Sequence, residues 1–386
     1  MYMLASNSFR IMTIITMVSV EAKNGFGNLL DKAQRQMVSI TRLSQKKISN
    51  GGIQMTKKWQ AIDPNIAFFP VELKPIFFEP STNTVDSEQT DLFLREFRQL
   101  PRHFAVVDES NNHVFSVVTD NYKLVTNKQA FDAAQRVMQQ VFKVIKPQEL
   151  VCLKVTMPST RSFCHIDLIH KDADFSPWEK DKWTAFLRIT NSYNRTHLLR
   201  FELGFCRWIC LNGMIFGTKS VEFSYSHNKQ GIDKVERFIE NIGDIQTLEI
   251  ELTEKLHQLK RYHVPEEYML GLACKVFEFN VPAQTDIKPK RIEEMIKFRD
   301  SVNYATKKYY NEMGAHGYAA LNVLTDVATR PVSAFSAESK IDGMQRKCGS
   351  WIGAFVEDIS KQSFSFDAYL AEYSSSAKLL QSLVVP

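Results

Sequence analysis

Apolar and polar positions change period several times along the chain, and each change predicts an element. From Val20 to Gln34, Ala22, Phe26, Leu29, Leu30 and Ala33 recur at three- and four-residue spacing, which predicts an amphipathic helix; Val38 to Thr41 follows as a strand. Pro64, Pro70, Pro75 and Pro80 then alternate with Phe68, Phe69, Phe77 and Phe78. Because proline removes a backbone donor, this stretch predicts an extended arm or edge strands. Asp91 to Gln99 reads as a short helix, Val114 to Val118 and Tyr122 to Val125 as strands joined at Asp120-Asn121, and Asn127 as the cap of a helix over 129–142.

The centre is rich in β-branched and aromatic residues. Val151 to Met157, Phe163 to His170, Thr184 to Thr190, Leu198 to Cys210 and Met214 to Phe216 predict strands, and Asn212-Gly213 between apolar runs is the clearest hairpin signal. After Gly231 the period becomes helical: Leu248, Leu252, Leu256 and Leu259 make one stripe, Pro265 and Pro289 open further helices, and Ala319 to Ala328 stops before Pro331. The pattern predicts an α+β fold, a central antiparallel sheet with a helical C-terminal half. Its expected segments are an N-terminal extension (1–54), a β-rich core (55–228), a helical part of that core (229–331) and a polar helical tail (332–386).

Composition is ordinary for a globular chain, with 44% apolar and 24% charged residues over 386 positions. The net charge of +5 lies in the N-terminal extension: residues 1–54 carry seven Lys and Arg against two acidic side chains, and the remainder holds 41 of each sign. Any polyanion-binding surface in the body must therefore be a local patch. The six cysteines have no zinc-ribbon or redox spacing and read as reduced thiols of a cytosolic protein; no run is apolar enough to span a bilayer.

Two clusters carry candidate chemistry. Between Lys182 and Lys219 six basic residues face a single Glu202, and strand alternation places Arg188 with Phe186 away from the apolar face, with Arg200 out of phase with Leu199 and Phe201. Arg188, Arg195, Arg200, Arg207 and Lys219, with Asn191 and Asn212, are the candidate nucleic-acid contacts; the competing reading is a sheet face with cross-strand Arg–Glu pairing. His165, Asp167 and His170 have the donor types of a divalent metal, although the odd spacing puts His170 on the other strand face. No phosphate-binding loop, dinucleotide fingerprint, zinc-protease helix or nucleophile elbow is present.

Two resemblances add context. Val18-Ser19-Val20-Glu21-Ala22-Lys23-Asn24, Phe26-Gly27, Leu29-Leu30-Asp31, Ala33-Gln34 and Ile40-Thr41-Arg42 resemble the DNA-binding N-terminus of the Phd/YefM antitoxins. The resemblance ends at Ser44 to Ile48, so residues 1–54 are expected to be an antitoxin-like extension or a gene-fusion remnant, with Met55 as an alternative start. Leu187-Arg188-Ile189-Thr190-Asn191-Ser192, Leu198 to Leu203, and Arg207-x-x-Cys210-x-Asn212-Gly213-Met214-x-x-Gly217 resemble the signature of the phage- and plasmid-like family catalogued as domain of unknown function 932. Tyr122-Lys123-x-Val125-x-Asn127-x-Gln129-Ala130-Phe131 and Ala320-Leu321-Asn322-x-x-Thr325-Asp326 resemble its flanking motifs. The resemblance implies a mobile-element setting with roles in DNA recombination, maintenance or anti-defence.

The expectation is a non-enzymatic, nucleic-acid-binding accessory protein without a cofactor or a membrane partner, with homo-oligomerisation left open. The alternatives are a metal-dependent nuclease or hydrolase built on His165, Asp167 and His170, and a protein-interaction or anti-defence factor that binds no nucleic acid.

Overall fold

In a computed structural model, residues 61–79, 97–141, 150–208, 212–215, 222–225, 227, 245–281, 287–330 and 338–383 are described. The antitoxin-like extension and Lys219 lie outside them. The chain divides into two units, residues 1–58 with 77–100 and residues 59–76 with 101–386. Every candidate side chain that is described belongs to the second.

Nine strands are present among the described residues: β1 (Val71–Phe78), β2 (Arg98–Asp108), β3 (His113–Thr119), β4 (Leu150–Thr156), β5 (Phe163–Trp178), β6 (Asp181–Ser192), β7 (Leu199–Arg207), β8 (Gly213–Ile215) and β9 (Glu222–Tyr225). β1-β2-β3 form one sheet. Pro75 is accommodated because β1 is an edge strand. β4-β5-β6-β7-β8 form the second sheet, antiparallel at every pairing, with β9 added to β7. The helices are α1 (Asn127–Val141), α2 (Ile245–Arg261), α3 (Met269–Phe277), α4 (Pro289–Met313), α5 (Gly317–Thr329), α6 (Glu338–Ile359), α7 (Phe366–Leu370) and α8 (Ser374–Ser382). The class is α+β, with helices concentrated in the C-terminal half.

Local chemistry explains the boundaries. Pro289 occupies the first turn of α4, where its missing N–H breaks no helical bond, and Gly314 at φ +90° ends the helix. The cap of α1 is Thr126 rather than Asn127. Thr126 Oγ1 accepts from the Gln129 amide at 3.2 Å and Gln129 Oε1 accepts from the Thr126 amide at 2.9 Å, a reciprocal capping box. Arg98 and Gln99 begin β2 rather than ending a helix, and Tyr122 to Val125 form no strand, since β3 pairs with β2. β5 runs on past His170 through Asp174, because β5 and β6 continue as one long hairpin closed at Glu179-Lys180, with Lys180 at φ +69°.

The two faces of the main sheet differ. One presents Ile166, Leu168, Ala185, Leu187, Ile189, Phe201, Leu203 and Phe205 to Leu256 of α2, Phe298 of α4, Leu321 and Leu324 of α5, and Ile352 and Phe355 of α6, all in one core. Each large apolar side chain buried there contributes roughly 1.5–3 kcal/mol. Met344, Cys348, Leu370 and Leu380 join the same core, so the C-terminal helices complete it. The other face carries a small apolar cluster, Ile169, Phe186, Cys206 and Ile215, beside a row of charged residues.

Candidate functional site

That charged row is set by strand register. Lys154 of β4 lies opposite Asp167 of β5, Asp167 opposite Arg188 of β6, and Arg188 opposite Glu202 of β7, so the charge alternates across four strands. Arg188 donates through Nε and Nη2 to the two Asp167 oxygens, 2.7 Å each, and through Nη1 to Gln345 Oε1 of α6. Its side chain is 3% exposed. Glu202 is fully buried and takes Arg346 of α6 as its partner. Opposite charges directly across a sheet stabilise each other, and a bidentate guanidinium–carboxylate pair is the strongest form of this contact.

The structure therefore corrects the expected phosphate-contacting face. Arg207 is buried as well, donating from Nε to Asp181 Oδ1 at 2.8 Å and from Nη1 to Asn322 Oδ1 at 3.3 Å, with Glu312 3.7 Å from Nη2. Asp181 Oδ2 accepts the Tyr318 hydroxyl at 2.7 Å. Asn191 donates from Nδ2 to Val125 O and to Asn127 Oδ1, both at 2.9 Å. Asn212 donates to Tyr309 Oη at 2.8 Å, and that hydroxyl donates to Asp326 Oδ2 at 2.8 Å. Four of the seven sequence candidates thus tie the sheet to α1, α4, α5 and α6. Arg200 is half-buried opposite Thr190, and Arg195 is exposed in the β6–β7 connection at φ +63°. Strand alternation identifies a face but not whether a helix covers it, and here α6 does.

The metal alternative is corrected in the same way. His165 Nδ1 is 2.8 Å from Thr190 Oγ1, Asp167 is committed to Arg188, and register without a bulge over Phe163 to Ile169 leaves His170 across the sheet from both. Among the described residues no group of three His, Cys, Asp or Glu is placed to hold a metal ion.

At the β4 end of the row a cleft of about 280 Å³ opens between the sheet, the end of α5 and α6. Phe186 lines it. Gly204 and Gly213 leave room for the ring: a Cβ on Gly204 would come 2.5 Å from the ring and 2.6 Å from the Met214 carbonyl oxygen, and one on Gly213 would come 3.2 Å from the ring. Gly213 is thus a strand residue opposite Cys206 and begins β8, with Asn212 just before it, so the pair does not form the two-residue turn its sequence suggests.

Lys154, Arg188 and Arg330 bring three positive charges to the cleft and Asp167 a single negative one, with Thr329 and Gln345 supplying polar groups and Leu153 an apolar wall. Arg330 is held by Asp326 at 2.6 Å, and Lys308 shares that carboxylate at 3.1 Å. Lys154 differs: among the described residues its ammonium makes no hydrogen bond or ion pair, since both Asp167 oxygens face Arg188. Burial pushes the Lys154 amine below its ordinary value, as do Arg188 and Arg330, while Asp167 opposes them. Lys154, Arg330 and Gln345 had no motif to reveal them. A lone lysine in the apolar run Val151 to Met157 was the available signal.

Five cysteines, Cys152, Cys164, Cys206, Cys274 and Cys348, are free and buried, and burial pushes the Cys152, Cys164 and Cys274 thiols up to about 12. No helix among the described residues is long and apolar enough to cross a membrane.

No curated protein and no solved structure matches the chain. The family model described as a domain of unknown function, DUF932, matches residues 114–346, from β3 to Arg346, the partner of Glu202 in α6. That span holds the whole charge row, the Asp181 and Asp326 clusters and the cleft, and it is more than half of the 386 residues, so the chain belongs to the DUF932 family.

Proposed function

We propose that the protein is a nucleic-acid-binding accessory protein, in the mobile-element setting that the sequence resemblance implies, and that it takes the phosphorylated end of a single strand in the Lys154 cleft. The observation that carries this reading is the Lys154 ammonium, which has no hydrogen-bond or ion-pair partner among the described residues and lines a cleft beside Arg188 and Arg330. A terminal phosphate bears roughly −1.5 to −2 charges at neutral pH and several strong acceptors, which suits the Lys154 ammonium with two guanidinium groups behind it, each already paired with a carboxylate. The Phe186 ring and the Thr329 and Gln345 side chains add the apolar surface and polar groups that fix a ligand's orientation. A cleft of about 280 Å³ has room for a phosphate with an attached sugar but not for a duplex. A phosphate backbone running along the arginine face is not part of the reading, because Arg188 and Arg207 are spent on Asp167 and Asp181.

The test is the affinity of the full chain for a fluorescent single strand carrying a 5′-phosphate, against the same strand with a 5′-hydroxyl, at two salt concentrations. The phosphorylated strand is expected to bind on the order of tenfold more tightly, with a preference that shrinks as salt rises. Equal affinity for the two ends would remove the basis of the proposal.

A further inference from the structure

We infer that Lys154 is a nucleophile that forms an imine with an aldehyde on the phosphorylated strand end, the ring-opened sugar of an abasic deoxyribose 5′-phosphate. This rests on the reading of the cleft as a phosphate site and adds a covalent step to it.

Three observations converge on the amine. Asp167, directly across the strand pair from Lys154, favours the ammonium by its charge, but both its oxygens accept from Arg188 at 2.7 Å and it makes no hydrogen bond to the amine. The two guanidinium groups lining the same cleft, Arg188 and Arg330, penalise a third positive charge. Leu153 and Phe186 give the same cleft an apolar lining, which favours a neutral amine over an ammonium. A lysine amine becomes a nucleophile when burial and neighbouring cations free its lone pair at moderate pH. Because its proton is held weakly, the ammonium form of Lys154 meets the phosphate, and the neutral form, a larger share than for an ordinary lysine, attacks the aldehyde that the phosphate brings beside it.

The step balances without an oxidant or a metal. The neutral Nζ lone pair attacks the aldehyde carbon, the C=O π pair moves to oxygen, and one proton passes from nitrogen to that oxygen to give the carbinolamine. The hydroxyl takes a second proton from solvent and leaves as water while the nitrogen lone pair closes the C=N bond, and the protonated imine carries one positive charge into a cleft that holds the Asp167 carboxylate.

The experiment incubates the full chain with a single strand bearing a 5′-terminal abasic deoxyribose phosphate in the presence of borohydride, which reduces the imine to a stable amine. The adduct is quantified and mapped by peptide mass. Binding of the same strand is followed by anisotropy without borohydride, on wild type and on Lys154→Arg, whose unfolding midpoint is checked against wild type. The expected result is an adduct at Lys154, with Lys154→Arg giving at least tenfold less adduct while still binding the strand. An adduct on other lysines, or one undiminished in a folded Lys154→Arg, overturns the inference. A strand that binds with no adduct overturns the covalent step and leaves the phosphate site standing. A strand that neither binds nor reacts removes both.

Discussion

Asp167→Ala is expected to destabilise the protein by about 3–5 kcal/mol, the cost of leaving a buried guanidinium without its carboxylate. Arg188 and Asp167 have side chains 3% and 8% exposed, and both oxygens of the carboxylate are used. Gln345 would remain to Arg188, but a neutral amide oxygen does not replace the lost charge, and the Glu202 carboxylate across the strand pair is held by Arg346. Against a total stability of roughly 5–15 kcal/mol, a loss of that size removes a large share of the folded state. Urea unfolding of wild type, Asp167→Ala and the double variant Asp167→Leu with Arg188→Met measures it. The double variant should recover much of the loss, because it removes both charges of the pair together and leaves neither without its partner. If Asp167→Ala loses less than about 1 kcal/mol, Arg188 reaches solvent easily and is not committed to the sheet.

Asp181→Ala should come next, at about 3 kcal/mol, because one carboxylate serves two buried donors. It holds the Arg207 guanidinium of β7 at 2.8 Å and the Tyr318 hydroxyl of α5 at 2.7 Å, and so ties the sheet to the helix. The fallback for Arg207 is Glu312, 3.7 Å away with a side chain 43% exposed, a weak replacement across solvent. Tyr318→Phe removes one hydroxyl and should lose only about 1 kcal/mol. Unfolding midpoints of the two variants give the comparison, and the assignment fails if Tyr318→Phe proves the more damaging.

Elements bounded by local chemistry were legible in the sequence. Pro289 and the Leu252, Leu256 and Leu259 stripe placed α4 and α2, and alternation of Phe186 and Arg188 against Leu187 and Ile189 assigned the faces of β6 correctly. The fate of Arg188 was not legible, because its helical partner Gln345 lies 157 residues away and only tertiary packing brings α6 over that face. The same holds for Asn127. Its side chain is drawn to Ala67 O and to Asn191, from 60 and 64 residues away, so Thr126 is left to cap α1. Asn212-Gly213 reads as a turn by local propensity, yet Gly213 is required in the strand by the Phe186 ring beneath it. The residues carrying the family resemblance, Arg188, Asn191, Arg207, Asn212, Asn322 and Asp326, are buried and join sheet to helices. Lys154, by contrast, is recognisable only once Asp167 is seen to be occupied by Arg188.

The decisive measurement is the affinity of the full chain for a 5′-phosphorylated single strand, compared among wild type, Lys154→Ala and Arg195→Ala at one low salt concentration. Lys154→Ala is expected to weaken binding roughly tenfold to a hundredfold and to abolish the preference for the phosphorylated end, the worth of one charged hydrogen bond. Arg195→Ala, on the exposed β6–β7 connection, should stay within about twofold of wild type. Unchanged affinity in Lys154→Ala, or a larger loss in Arg195→Ala, would contradict the assignment of the cleft.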